Sequence, residues 1–152
     1  MIERHDYPVT LRWIGGKEGL AASPDRLPEL SIASPPEFGG PEHEWSPEPL
    51  FVASAASCYM TTFLAMAEMS RLELDGLEVP ASGALVRGED RRYTIERIEL
   101  TPRIVLADEG DREKAARLAV KAEEVCLITR SMRSEVEVRP TFEVAPQPAP
   151  VW

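Results

Sequence analysis

Three observations predict an α+β fold. The regular segments run strands, helix, strands, helix, strand, so the two element types are grouped rather than strictly alternating. One uncharged run, Pro49 to Ala67, is long enough for a central helix. Segments of period-two alternation stand on both sides of it. The chain has 152 residues, so one domain is expected. It is placed at 1–144, with a proline-rich tail, 145–152, expected to be disordered.

Each element has a local reason. Residues 8–14 (PVTLRWI) alternate and read as a strand, and Gly15-Gly16-Lys17-Glu18-Gly19 is a turn suited to a hairpin. Residues 29–33 read as another strand. Pro35-Pro36 and Gly39-Gly40-Pro41 break the chain, making 34–46 a loop. Ser46-Pro47-Glu48 starts a helix, with a capping hydroxyl, a proline at the first helical position and an acid at the positive end of the dipole. That helix is predicted from about 47 to 70. It is apolar on nearly every side and needs cover from more than one neighbour. Residues 77–87 and 92–106 read as two strands joined at Gly88-Glu89-Asp90-Arg91. A second helix is predicted over 111–124 with Ala115, Leu118, Ala119 and Ala122 as its apolar stripe. Cys126 falls at its end, a short helical turn follows through Met132, and 135–144 alternates as a closing strand.

The net charge is −9. A nucleic-acid partner needs a basic footprint, so none is expected. Nor is an anionic membrane surface. The Pro49–Ala67 run reaches the length of a membrane span, but Ser54, Ser57, Thr61 and Thr62 lie within it and Glu48 and Glu68 flank it. A buried helix is the expected reading. The first residues, MIERHDYPVT, carry charge where a secretion signal needs an apolar segment, so a cytoplasmic location is expected. His5 and His43 are too few to build an ordinary metal site with Cys58 and Cys126, and no CxxC, HExxH or P-loop is present. No metal or cofactor is expected. Two cysteines in a reducing compartment are more often catalytic than structural.

The residues also carry a resemblance. PPEFGG at 35–40, followed by SPEPLFVASAASCYMTTFLAMAE at 46–68, resembles the central signature of the OsmC/Ohr family (osmotically induced protein C and organic hydroperoxide resistance). AEEVCLITRSM at 122–132 resembles the family's second cysteine segment, with Leu127 where a proline often follows the cysteine. The resemblance implies an OsmC-like fold of antiparallel sheets with two main helices, the first central and buried, in an intertwined homodimer. It implies a thiol-dependent peroxidase acting on organic hydroperoxides or hydrogen peroxide, recycled by an external dithiol reductant. Cys58 takes the peroxidatic position, Cys126 the resolving one and Glu48 that of the acidic partner. The Ohr branch has an arginine after the Gly-Gly pair; here it is Lys17, which lacks the planar fork that grips a carboxylate. That departure points to a divergent OsmC-like member.

The chemistry sets its own conditions. A peroxidatic cysteine attacks as the thiolate, and an apolar helix raises a thiol pKa, so a cation or donor is required. Lys17 is the first candidate, with Arg12 and Arg26 in reserve. Glu48 and Cys58 are ten residues apart, about 15 Å along one continuous helix. A glutamate side chain does not span that. Glu48 therefore supports a bridging cation or acts across a dimer. The other class of function is a non-catalytic module of the same fold, binding a hydrophobic small molecule at the dimer interface.

Overall fold

The computed structural model describes residues 3–146. The predicted tail lies, from residue 147 onward, outside them. The chain divides into two compact units, Met1–Phe51 and Val52–Trp152.

The first unit is a three-stranded antiparallel sheet in the order β1 (Thr10–Gly15), β2 (Glu18–Ala22), β3 (Leu30–Ala33). Gly15 and Gly16 turn the hairpin at φ 130° and 51°, values that favour residues without a Cβ. The loop after β3 holds a 3-10 turn, Pro36–Phe38, closed by Gly39 in the left-handed region. Gly40 is fixed by close approach: a Cβ there would stand 1.6 Å from the Ser34 carbonyl oxygen.

Helix α1 (Pro47–Met69) starts in the predicted place. It is long and apolar enough to cross a membrane. Because it is apolar nearly all round, packing rather than pattern decides which face is covered. In the second unit Ala55, Tyr59, Phe63 and Ala67, one turn apart, are the buried ones. Tyr59 and Phe63 stack at 6.4 Å between ring centroids. Leu64 and Met69, off that face, are exposed.

The second unit carries β4 (Leu74–Glu78), β5 (Ala81–Arg87), β6 (Tyr93–Leu100), β7 (Arg103–Leu106), α2 (Arg112–Val125), α3 (Leu127–Ser131), β8 (Glu135–Val138) and β9 (Thr141–Val144). The single strands expected at 77–87, 92–106 and 135–144 are each divided. Pro80, Pro102 and Pro140 stand at the three breaks, and proline cannot donate to a ladder. The breaks are level with one another: Thr101 N–H donates to the Pro80 carbonyl and Thr141 N–H to the Pro102 carbonyl. Two sheets result, β5-β6-β8 and β4-β7-β9. Each has one antiparallel and one parallel pairing, the parallel ones being β6 with β8 and β7 with β9.

A bulge explains the imperfect alternation of β6. Ala84 pairs with Arg97 and Leu85 with Ile95, leaving Glu96 unpaired. One extra residue shifts the phase, so Ile95 joins Ile98 and Leu100 in the core. Ala115, Ala119 and Ala122 of α2 complete that core against Ile104 and Leu106. Their small side chains let the α2 backbone lie close, and the Tyr59 hydroxyl donates to the Ala119 carbonyl at 3.4 Å.

Candidate active site

Cys58 sits at the middle of α1, one residue before buried Tyr59, and is half-buried. Cys126 is fully buried between α2 and α3. Its backbone, φ −58° and ψ 109°, leaves the helical region and separates the two helices. A new helix therefore begins at Leu127. The first amides of a helix have no intrahelical acceptor. Two of them, from Leu127 and Ile128, face the Cys58 sulfur and favour its charged form. The residues far apart in sequence are thus brought together, and no disulfide joins them.

The two thiols are shifted in opposite directions. Burial pushes Cys58 up, but hydrogen bonds from the Cys126 thiol, the Ile128 N–H, the Thr62 hydroxyl and the Leu127 N–H together outweigh it. Cys58 ends below the ordinary thiol value. Cys126 is pushed up, first by burial and then by its hydrogen bond to Cys58, opposed in part by Thr129. The arrangement favours a thiolate at Cys58 and a protonated donor at Cys126. The half-buried Cys58 sulfur is the more accessible of the two, and the buried Cys126 thiol stands behind it.

Of the two sources expected, a cation or a donor, the described residues of this chain bring donors to Cys58. Among the described residues no cation contributes to the Cys58 shift; the contributions come from neutral hydrogen-bond donors. The apolar surroundings of α1 do raise the thiol, as reasoned, yet the donors come from a segment distant in the chain. Sequence reasoning missed Thr62 and the Leu127 and Ile128 amides. The signal for the amides was present in the helical turn after Cys126, whose leading N–H groups needed acceptors. The signal for Thr62 was its place one turn beyond Cys58.

Lys17 and Glu48 belong to the first unit, where both line one cavity of about 630 Å³ with Leu11, Trp13, Ile32 and Phe38. The Lys17 ammonium donates to the Phe38 carbonyl at 2.5 Å, and the Lys17 carbonyl accepts from Ser34 N–H at 3.1 Å. Lys17 thus ties the hairpin turn to the following loop. Glu48 has one carboxylate oxygen, Oε2, that is buried without a hydrogen-bond partner among the described residues. Such an atom is costly to leave unpaired. Arg12 lines the same cavity and pairs with Glu29 at 3.5 Å. Arg26 stands beyond β2 with a φ of 57°. Glu48 and Cys58 both lie within helix α1.

Comparison with known proteins gives consistent results. A family profile described as OsmC-like protein matches residues 39–141. Uncharacterized protein YmaD of Bacillus subtilis (strain 168) is 30% identical over 138 residues, which cover 89% of this chain and 91% of YmaD. Organic hydroperoxide resistance protein OhrA of the same bacterium is 30% identical over 145 residues, covering 91% of this chain and 96% of OhrA. Among solved structures, an OsmC-like protein of unknown function from Vibrio cholerae superposes with a TM-score of 0.83 at 18% identity, covering 91% of this chain and 100% of that one.

Proposed function

This chain belongs to the OsmC-like protein family, and on that premise we propose that it is a cysteine-based peroxidase reducing organic hydroperoxides. The observation that carries the reading is the meeting of half-buried Cys58 with buried Cys126, two free thiols 68 positions apart in the sequence. The nucleophile of each step is a thiolate, first Cys58 toward the peroxide and then Cys126 toward the oxidised Cys58, so the two sulfurs must meet.

In the proposed cycle the Cys58 thiolate attacks the terminal oxygen of ROOH. The O–O bond breaks, the alkoxide takes a proton and leaves as alcohol, and Cys58 becomes a sulfenic acid. The Cys126 sulfur then attacks the Cys58 sulfur. The S–S bond forms, the S–O bond breaks, and the departing hydroxyl leaves as water with the thiol proton. An external dithiol returns both cysteines to thiols by exchange, supplying two electrons. No metal or bound cofactor enters the cycle. The need for reduced thiols at rest supports a cytoplasmic location.

A homodimer is part of the proposal. Exposed Leu11, Trp13 and Ile14 on β1 and exposed Leu64 and Met69 on α1 are apolar surface that a second copy would cover. The unpaired Glu48 oxygen supports a hydrogen bond made only in that assembly. Lys17 is assigned to the wall of the cavity beside Glu48, and the ionisation of Cys58 to its hydrogen-bond donors.

The test is consumption of an organic hydroperoxide such as cumene hydroperoxide by wild type and Cys58→Ser, with mass spectrometry of the protein after brief exposure. Wild type is expected to consume peroxide and lose two hydrogens as the Cys58–Cys126 bridge forms; the variant does neither. Equal turnover in Cys58→Ser would end the proposal. The apolar cavity of the first unit favours a second reading, a non-catalytic module holding a hydrophobic molecule. A Cys58 silent to both peroxide and alkylating reagents would support that one.

A further inference from the structure

Helical threonines commonly turn their hydroxyl back onto the carbonyl one turn earlier. Thr61 does so, donating to Ser57 at 2.9 Å and lying 3.2 Å from the Cys58 carbonyl. Its neighbour does not. Thr62 Oγ1 stands 4.0 Å from the Cys58 sulfur, and that sulfur is its hydrogen-bond partner among the described residues. Thr62 is half-buried and lies one turn along the same face of α1.

We propose that Thr62 is a positioning residue for Cys58, its hydroxyl donating to the sulfur once the thiol has given up its proton. The inference rests on Cys58 being the reactive cysteine. The chemistry is asymmetric. A hydroxyl is both donor and acceptor, whereas a thiolate only accepts. While Cys58 is protonated the contact can run either way; after ionisation only the Thr62 proton can fill it. The bond therefore becomes charge-assisted in the reactive form and stronger than in the resting one. The other groups facing the sulfur are Cys126, from the α2–α3 junction, and the Leu127 and Ile128 amides of α3; no charged side chain joins them among the described residues. Thr62 differs from these in being removable without touching the backbone or the second thiol.

The test compares Thr62→Val, which keeps the branched shape and loses the proton, with Thr62→Ser, which keeps the proton. Both are read by iodoacetamide alkylation of Cys58 against pH, a measurement that needs no peroxidase activity, and by far-ultraviolet circular dichroism and thermal melting for folding. Thr62→Val is expected to move the alkylation midpoint to higher pH and to slow alkylation at pH 7 roughly two- to threefold, the lower end of what one net hydrogen bond contributes. Thr62→Ser is expected to follow wild type. A Thr62→Val profile that overlays wild type, or equal losses in both variants, would overturn the proposal. Should Thr62→Val not fold, Thr62→Ala against Thr62→Ser reads the same difference. If the alkylation shift is found but no variant consumes peroxide, the role of Thr62 stands and the peroxidase reading falls.

Discussion

Replacing Leu127 by proline removes one N–H and little else. Position 127 is the first residue of α3, where a helix accepts proline because that amide has no intrahelical acceptor. The preceding residue, Cys126, already has φ −58° and ψ 109°, close to the extended region a following proline demands. The leucine side chain is 65% exposed, so its loss opens no cavity. What disappears is one of the two amide donors on the Cys58 sulfur. A hydrogen bond to a charged acceptor contributes about 1.5–3 kcal/mol. The Leu127 amide ranks last of the four donors to Cys58, behind the Thr62 hydroxyl, which argues for a value below that range, about 0.5 kcal/mol or roughly a twofold loss of thiolate at a pH below the midpoint. The assay is iodoacetamide alkylation of Cys58 across pH, with Leu127→Ala as the control that keeps the N–H. Leu127→Pro should react more slowly and reach its midpoint at higher pH, and Leu127→Ala should match wild type. A proline variant as reactive as wild type, or an alanine variant as slow as the proline one, would refute the assignment of Cys58 ionisation to the α3 amides.

Two further outcomes follow. Cys126→Ser keeps a proton to donate but cannot form a disulfide; Cys58 should stay reactive to alkylation while peroxide treatment leaves a sulfenic acid, trapped by dimedone, in place of the bridge. Tyr59 has its phenol pushed up, first by burial and then by Glu123. A group raised on folding stabilises below its unfolded value and loses that contribution as pH rises through it. Alkaline unfolding should therefore begin above about pH 10, and Tyr59→Phe should blunt that dependence in urea titrations at pH 8 and pH 11.

The features legible in the sequence were those with local causes. Helix α1 was readable because Ser46, Pro47 and Glu48 mark its start and no breaker interrupts it before Met69. The α2 stripe was readable because Ala115, Ala119 and Ala122 keep helical spacing among charges. The divided strands were misjudged because alternation carried through Pro80, Pro102 and Pro140, although a proline inside a strand is itself a local signal. The meeting of Cys58 and Cys126 was expected only from family resemblance, since nothing in the spacing sets it. Two of the donors to Cys58, at Leu127 and Ile128, went unseen because they are main-chain groups. An amide carries no identity in a sequence, and its presence at 127 shows only as a residue that is not proline.

The level breaks at Pro80, Pro102 and Pro140 have a consequence for how these strands find their partners. A one-residue slip in a ladder turns every side chain to the opposite face. Here a slip of any of the three also carries a proline out of the crease and into a ladder, where its missing N–H and ring are excluded. The Thr101 and Thr141 amides, which now close the crease on the Pro80 and Pro102 carbonyls, would lose those acceptors too. The prolines therefore act as alignment pins. They penalise misregistered pairing in both sheets at once and hold β8, which follows α3, to one setting against β6.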